Sequence, residues 1–404
     1  MKILFLTIGR LVSIEDHGIY PDLLRCFRDH GHEVFTVSAY EKRLGRETTL
    51  IEDNGAHMLH VKIGNITKCN VIEKGISTIL IPFKYLSAIK RFFANEKFDL
   101  ILYSTPPITL SRVINNIKKR DNAKTYLLLK DIFPQNAVDL GMMSKTGIKS
   151  IIYRYFRKKE KKLYSISDRI GCMSQANVEY VLKHNPGMPA EKVEICPNSL
   201  EIRDLRLNEE ERIKMRKQYG LPLDKVIFVY GGNLGKPQGI PFIIECLKTQ
   251  EQNSDAYFLI VGDGTEYGKL EAYFEKAKPQ NMKLMKRLPK EDYDRMIASC
   301  DIGLIFLDHR FTIPNFPSRL LSYMQAGLPV LACTDPNTDI GKTITEGGFG
   351  WWCESNNSYN FVLAVNQILS ESSFEKYSDN SFEYLMKYYN IDLCYNIILS
   401  SLNM

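Results

Sequence analysis

VIFVYGGNLGKPQGIPFIIECL, residues 226–247, is the stretch from which the fold can be read. Residues 226–230 are apolar and mostly β-branched or aromatic, as in a parallel strand buried on both faces. Residues 231–239, GGNLGKPQG, form a glycine-rich turn. From Ile240 onward, Ile243, Ile244 and Leu247 recur on one face of a helix. Strand, glycine loop and helix start, in that order, make an anion site. Glycines let the backbone approach a phosphate, and the helix start offers free N–H groups and a positive dipole end. Lys236 adds a full charge inside the loop. The glycines fall at 231, 232, 235 and 239, which is not the dinucleotide spacing G-x-G-x-x-G, and no Gly-Lys-Ser/Thr closes the loop as in a Walker A motif. The loop reads as a phosphate site of another kind, with an ordinary tight α/β turn as the alternative.

The surrounding chain has 404 residues, enough for roughly two or three domains. Its composition, 44% hydrophobic and 25% charged with a net charge of +6, is that of an ordinary soluble protein. Nine scattered cysteines with no C-x-x-C pair read as buried thiols, against a zinc site or a disulfide framework. MKILFLTIG at the start is too short for a signal peptide and leads directly into a strand. No apolar run reaches the ~18 residues of a membrane span.

Taken in order, residues 2–8, 33–38, 57–63, 98–103, 125–130, 168–173 and 193–196 read as strands. Helical patterns lie between them at 19–30, 76–95, after Pro106-Pro107, and at 175–184. Gly18 stands near the first helix start, where a ligand can be met. Residues 125–130 end in LLLKDIFPQN, so Lys130 and Asp131 sit at a strand's carboxyl end, the edge at which open α/β sheets bind ligands. Pro197-Asn198 breaks the pattern, and strands at 226–230, 257–261, 282–285, 302–306 and 329–332 then alternate with helices again. The expectation is α/β, two doubly wound Rossmann-like domains facing a cleft. Residues 1–200 are expected to form the first domain and 201–380 the second, and residues 381–404 a C-terminal helix that packs back on the first.

Residues 145–165 concentrate charge: Lys145, Lys149, Arg154, Arg157, Lys158, Lys159, Lys161 and Lys162 against Glu160 alone. Ile148, Ile151, Ile152, Tyr155, Phe156 and Leu163 recur at helical spacing. That apolar stripe is expected to pack on the sheet, with the basic face outward. Three readings of the face stay open. It lies on an anionic membrane surface, where each basic residue contributes roughly 1 kcal/mol, or it is simply solvated, or it binds nucleic acid. No interleaved exposed aromatics or nucleic-acid motif supports the last.

Five stretches together resemble the family 4 glycosyltransferases of the GT-B fold. These are HGIYPDLLRCFRDHGHEVFTVSA, ICPNSLE, YGGNLGKPQG, FLIVGDGTEYGKLE and PSRLLSYMQAGLPVLA. KDIFPQN, GNLGKPQG and PSRLLSYMQAG look most like bacterial O-antigen and capsule N-acetyl-fucosaminyltransferases. The chain departs from the wider family at several positions. Asn233 and Gln238 stand where an Arg and a Lys are usual, Pro314 and Ser322 where two glutamates are usual, and Lys130 where a histidine is usual.

The resemblance implies a retaining, metal-independent hexosyl-type transfer from a nucleotide sugar, with no cofactor. The sugar is an N-acetylated hexosamine or deoxyhexosamine, and UDP is favoured through the subgroup. The acceptor is a lipid-linked glycan of surface polysaccharide biosynthesis, and the enzyme is cytoplasmic and peripheral on the inner membrane. Without a metal, cations and N–H groups must meet the charge that develops on the leaving diphosphate. Lys236, Arg319 and Asp131 are the candidate catalytic residues, Asp131 as the group that orients a sugar hydroxyl. Donor contacts fall on Gly18, Gly232, Asn233, Lys236, Gly262, Arg287, Leu288, Ser318, Arg319, Leu320 and Ser322. Here Pro317-Ser318 starts a helix, Ser322 takes the ribose position, and residues 286–288 lie by the base. The membrane contacts are Lys149, Arg154, Arg157, Lys158, Lys161 and Lys162. Asp263 reads as a turn residue and His17 as a loop residue. Two alternatives remain, a nucleotide-sugar 2-epimerase of the same fold and a non-catalytic membrane-surface scaffold.

Overall fold

The computed structural model describes residues 1–148 and 150–404, and for Val71 and Ile72 the backbone alone. Two compact units emerge: residues 1–201 with 391–404, and residues 202–390.

The first unit runs β1 (Lys2–Leu6), α1 (Ile19–Asp29), β2 (Glu33–Glu41), β3 (Thr49–Asp53), β4 (Ala56–Ile63), α2 (Val71–Phe92), β5 (Leu100–Ser104), α3 (Ser111–Asp121), β6 (Lys124–Leu129), α4 (Gln135–Asp139), α5 (Ser150–Ile166), β7 (Arg169–Cys172), α6 (Gln175–His184) and β8 (Val193–Ile195). Its sheet order is β3-β4-β2-β1-β5-β6-β7-β8. Every pairing is parallel except β3 with β4. Strand β3 goes unread in the sequence pattern. Asn54 and Gly55, both at positive φ, form the two-residue turn that folds it back on β4. The central strands are buried along their length because helices cover both faces. Alternate residues Ile3, Phe5, Leu100, Leu102, Tyr126 and Leu128 meet α1 on one face. Helices α2, α3 and α5 pack side by side over the other face, where the Tyr85 hydroxyl donates to the Thr7 carbonyl at 2.7 Å.

The second unit runs α7 (Glu209–Tyr219), β9 (Val226–Asn233), α8 (Ile240–Thr249), β10 (Ala256–Asp263), α9 (Tyr267–Ala277), β11 (Met282–Lys286), α10 (Lys290–Ala298), β12 (Ile302–Phe306), α11 (Arg319–Gln325), β13 (Val330–Thr334), α12 (Ile340–Glu346), β14 (Gly350–Glu354), α13 (Ser358–Leu369) and α14 (Glu375–Tyr388). Its sheet is parallel throughout, in the order β11-β10-β9-β12-β13-β14. After β9 the chain builds outward through β10 and β11, then returns to add β12 on β9's other side. The strand order therefore reverses at β9–β12, and ligands of open α/β sheets bind at the carboxyl ends of such a pair. The loops after β9 and β12 meet there: the Asp308 N–H donates to the Pro237 carbonyl at 2.9 Å.

The chain returns to the first unit as α15 (Ile391–Leu402), which packs on α1. Tyr395 sets its ring 4.9 Å from that of Phe27 and its hydroxyl 2.9 Å from His32 Nε2. Cys196 and Cys394 bring their sulfurs to 3.3 Å, and Ile398 is fully buried.

Helix α5 corrects the expected orientation. Its buried side chains are Ser150, Glu160, Leu163, Tyr164 and Ile166. Ile148, Ile151, Ile152 and Tyr155, expected against the sheet, are exposed. The helix is anchored through its second half, and there the only acid of the segment turns inward. Arg157, expected on the outer basic face, turns inward with it. It pairs with Glu160 and donates to the His184 carbonyl at 2.6 Å and to Asn185 Oδ1 at 2.9 Å. Arg154, Lys158, Lys161 and Lys162 are exposed, whereas Lys149 lies outside the described residues.

Ile398→Ala tests the contribution of α15. Emptying a fully buried site costs about 2–5 kcal/mol. The expected result is faster amide exchange throughout β1, β2 and α1, with β9 to β14 unchanged. Exchange unchanged in the first unit would mean that α15 contributes nothing to its stability.

Candidate functional site

The glycine loop is built by close approach. A Cβ on Gly262 would lie 2.0 Å from the Gly232 carbonyl oxygen, and one on Gly264 would lie 2.3 Å from that of Leu234. Strands β9 and β10 can converge there only because both positions are glycine. Gly231 has no room for a side chain either, because a Cβ would meet the Tyr293 ring and hydroxyl. Gly232 has φ +123°, a conformation that favours glycine. Beyond it, Gln238 Oε1 accepts from the Gly235 N–H and from Asn233 Nδ2, each at 3.1 Å. Gln238, which stands where the family usually has a lysine, thus ties the loop together and engages the Asn233 side chain. Leu234 bonds to the Asp263 carbonyl at 3.0 Å, while Asp263 Oδ1 accepts from the Gly264 N–H at 2.8 Å within its turn. Lys236 projects into solvent, and among the described residues no group pairs with its ammonium.

Arg319, the first residue of α11, reaches this loop. Its guanidinium lies 4.3 Å from the Tyr230 ring centroid and 3.6 Å from where a Cβ on Gly232 would stand. Nη1 is buried without a hydrogen-bond partner. No carboxylate among the described residues pairs with Arg319. Tyr323, one turn along α11, takes the Gly231 N–H at 3.1 Å and donates to the Leu304 carbonyl at 3.0 Å. Cation–π stacking supplies about 0.5–2 kcal/mol. Taking a charge out of water costs several kcal/mol unless a counter-charge arrives. An anion resting over Gly232 would supply that counter-charge.

The other predicted donor contacts divide. Ser318 is exposed, and its side chain does not cap α11. The Leu320 N–H is already donated to the Pro317 carbonyl at 3.2 Å, so it is not available to a phosphate. Ser322 is half-buried on the same helix. Arg287 and Leu288 follow β11, two strands from β9 and so roughly 10 Å away across the sheet. Gly18 belongs to the first unit, where its N–H is taken by Asp22 Oδ1 at 2.9 Å. That carboxylate also holds the buried Arg25 guanidinium at 2.7 Å. The Gly18 N–H is thus occupied from within the helix, while no side chain caps α1.

Asp131 lies at the carboxyl edge of the first sheet, half-buried, with both oxygens accepting from Asn136 Nδ2 at 2.8 and 2.9 Å. Burial, with the charge of Glu160 adding to it, outweighs these bonds and pushes its carboxyl up to about 6. Behind the following loop is a cavity of about 210 Å³, lined by Ile132, Pro134, Tyr153, Glu160, Tyr164 and Tyr180 among others. Burial likewise raises the Glu160 carboxyl, which accepts from the Tyr164 hydroxyl at 2.8 Å.

Among the described residues, two groups bring three metal-ligating atoms within 4.8 Å of one another, Cys26/His30/Asp392 and His17/Asp22/Glu201. Both belong to the first unit, whereas the glycine loop belongs to the second. Burial, followed by the Asp392 carboxylate, pushes the Cys26 thiol up to about 12, which favours the thiol over a metal-binding thiolate.

Sequence reading missed Tyr230, Tyr293, Tyr323 and Asp335. The pairing of Arg319 with Tyr323 was legible as an i, i+4 spacing. Asp335, just after β13, is fully buried with Oδ2 unpartnered, and burial pushes it up to about 6. Only its burial in the fold reveals that.

Residues 211–383 match the family described as Glycosyl transferases group 1. The chain is 26% identical over 309 residues to the "Probable glycosyltransferase WbjE" of Pseudomonas aeruginosa, covering 76% of this chain and 74% of that one. It is 24% identical over 278 residues to the "Putative colanic acid biosynthesis glycosyl transferase WcaI" of Escherichia coli, covering 68% and 67%. Anabaena Alr3699/HepE, solved in complex with UDP, has the same fold, with a TM-score of 0.71 and 15% identity over 100% of both chains.

Two substitutions test this geometry. Gly262→Ala is expected to destabilise the second unit by about 3 kcal/mol in urea unfolding, because backbone rather than a movable side chain blocks the new methyl. Stability within about 0.5 kcal/mol of wild type would contradict the convergence of β9 and β10. For Asp131 the raised carboxyl favours the protonated form. Its contribution is full below the ordinary 3.8 and is lost as pH rises through about 6. Asp131→Asn should therefore gain about 1–2 kcal/mol over wild type at pH 8, with the gain vanishing near pH 4. A gain that grows toward acid would contradict this assignment. The glycine loop and the arginine beside it thus lie within residues 211–383, which match as a glycosyl transferases group 1 domain, in a chain that has the GT-B fold and is similar to bacterial glycosyltransferases.

Proposed function

We propose that the protein transfers a sugar from a UDP-sugar to a lipid-linked glycan during assembly of a bacterial surface polysaccharide, with retention at the anomeric carbon and without a metal. The observation that carries this reading is Arg319, a cation with a buried, unpartnered Nη1 against Gly232 at the switch point. That site suits a diphosphate leaving group. As the sugar–phosphate bond breaks, negative charge grows on the diphosphate oxygens. Arg319 and the mobile ammonium of Lys236 are the charges that meet it. The fixed loop, held by Gln238 and Asp263, lets the phosphate approach the backbone at Gly232 and Asn233. Ser318 and Ser322 on α11, and the loop at Arg287 and Leu288, are assigned to the remainder of the nucleotide.

UDP is favoured by the HepE complex, and polysaccharide assembly by the name of the WcaI relative. The N-acetylated hexosamine or deoxyhexosamine rests on KDIFPQN and PSRLLSYMQAG, the motifs shared with N-acetyl-fucosaminyltransferases. In the first unit, Asp131 is assigned to orient a sugar hydroxyl of the donor or acceptor. Among the described residues no helix is long and apolar enough to cross a membrane. The lipid-linked acceptor is met by peripheral attachment to the cytoplasmic face of the inner membrane. The exposed Arg154, Lys158, Lys161 and Lys162 face the anionic lipid.

The test is UDP release and product mass, using N-acetylated UDP-sugars with lipid-linked glycans extracted from bacterial membranes, in EDTA. Arg319→Met and Lys236→Ala should each lower turnover at least about 100-fold while keeping the wild-type circular-dichroism spectrum. Wild-type turnover in both variants would remove this anion site from the mechanism. Isomerised donor without UDP release would make the enzyme an epimerase instead.

A further inference from the structure

We infer that the first unit does not merely rest on a charged lipid surface but inserts two apolar helix tips into it, one of them on α2. The inference rests on the membrane reading above and adds a surface that reading does not contain. Ile76, Ile79, Leu80 and Phe83 occupy positions i, i+3, i+4 and i+7 of α2, and each is 44–57% exposed. Ile148, in the turn before α5, and Ile151, Ile152 and Tyr155 have the same spacing and are 41–88% exposed. An i, i+3, i+4, i+7 set forms one face of a helix and is ordinarily the face that is buried. Here two such faces in one unit are turned outward.

The topology brings them to the same end. Helices α2 and α5 each precede a parallel strand of one sheet, β5 and β7, so both begin at its carboxyl edge. Both pack against α3 and against the turn Ile108–Leu110 at that edge. The apolar residues lie in the first 13 of the 22 residues of α2 and at the start of α5. The carboxyl edge that carries Asp131 is therefore flanked by both.

Charge selects the occupant. Exposed Lys74 and Lys84 flank the α2 set, and Arg112 stacks on Phe83 with its guanidinium 4.6 Å from the ring. Lys145, Arg154 and Lys158 flank the α5 set. Glu73, the acid at the start of α2, is bonded to Asn65 Nδ2 at 2.7 Å. A second copy of this chain would set lysine against lysine. An anionic bilayer offers acyl chains to the isoleucines and Phe83, and phosphates to the ring of cations. Insertion would fix the depth at which the Asp131 edge stands above the lipid, whereas surface charge alone would not.

The experiment is co-sedimentation of the full chain with vesicles of phosphatidylethanolamine and phosphatidylglycerol, at low salt and at about 0.5 M NaCl, where surface attraction is largely screened. Three proteins are compared: wild type, an α2 variant (Ile79→Ser with Phe83→Ser) and a charge variant (Lys158→Glu, Lys161→Glu and Lys162→Glu). Wild type should keep a salt-resistant bound fraction. The α2 variant should lose that fraction about tenfold while still binding at low salt, and the charge variant should lose mainly the salt-sensitive part. All substituted residues are exposed, and unchanged melting temperatures confirm folding. If the α2 variant binds like wild type at both salts, or if high salt releases wild type completely, insertion is overturned and surface attachment stands. If wild type binds no anionic vesicle, both readings fall.

Discussion

The second unit is arranged around a positive charge without a negative partner. Arg319 is held over Gly232 by the Tyr230 ring and by the α11 helix on which Tyr323 also sits. Tyr323 in turn fixes the Gly231 N–H. Each element of this arrangement constrains its sequence. Position 231 excludes a side chain because Tyr293 occupies the space, position 232 takes a left-handed φ, and position 262 must let the Gly232 carbonyl pass. A loop so tightly fixed, with an unsatisfied guanidinium beside it, has little reorganisation left to do when a phosphate arrives.

The departures from the wider family take a different meaning in this setting. Gln238 replaces a cation but closes the loop through two hydrogen bonds. Asn233 replaces another, and its side chain is drawn into the same bond network. The loop carries less charge than the family pattern and is tied by Gln238, with the Arg319 guanidinium of α11 beside it. Lys236, in the same loop, is exposed.

Much of the fold was legible because parallel strands buried on both faces are continuous apolar runs, and β1, β5, β6, β9, β10 and β12 are of that kind. Strand β3 was not legible, because TLIED is short and polar at an edge, although Asn54-Gly55 marked its turn. For the site, the glycine loop and Arg319 could be named from spacing, since backbone approach and helix starts leave local marks. Tyr230 and Tyr293 could not, because they come from a separate strand and helix that only the fold brings to Arg319, and the burial of Asp335 leaves no mark in the sequence. At Gly18 the sequence shows a glycine before a helix, but not that Asp22, four residues on, accepts the Gly18 N–H. The basic helix misled for a related reason. Periodicity shows that isoleucines share a face, but not whether anything covers it, and α5 is anchored by its other half.

The most direct test of the central claim is a thermal-shift comparison of UDP, GDP and ADP at millimolar concentration in EDTA, with wild type and Arg319→Met side by side. At about a hundred times its dissociation constant a ligand stabilises by roughly 2.7 kcal/mol. The account predicts a clear shift with UDP for wild type and its loss in Arg319→Met. A UDP shift of equal size in both proteins, or no shift with any nucleotide, would contradict the claim that the unpaired arginine is the centre of the donor site.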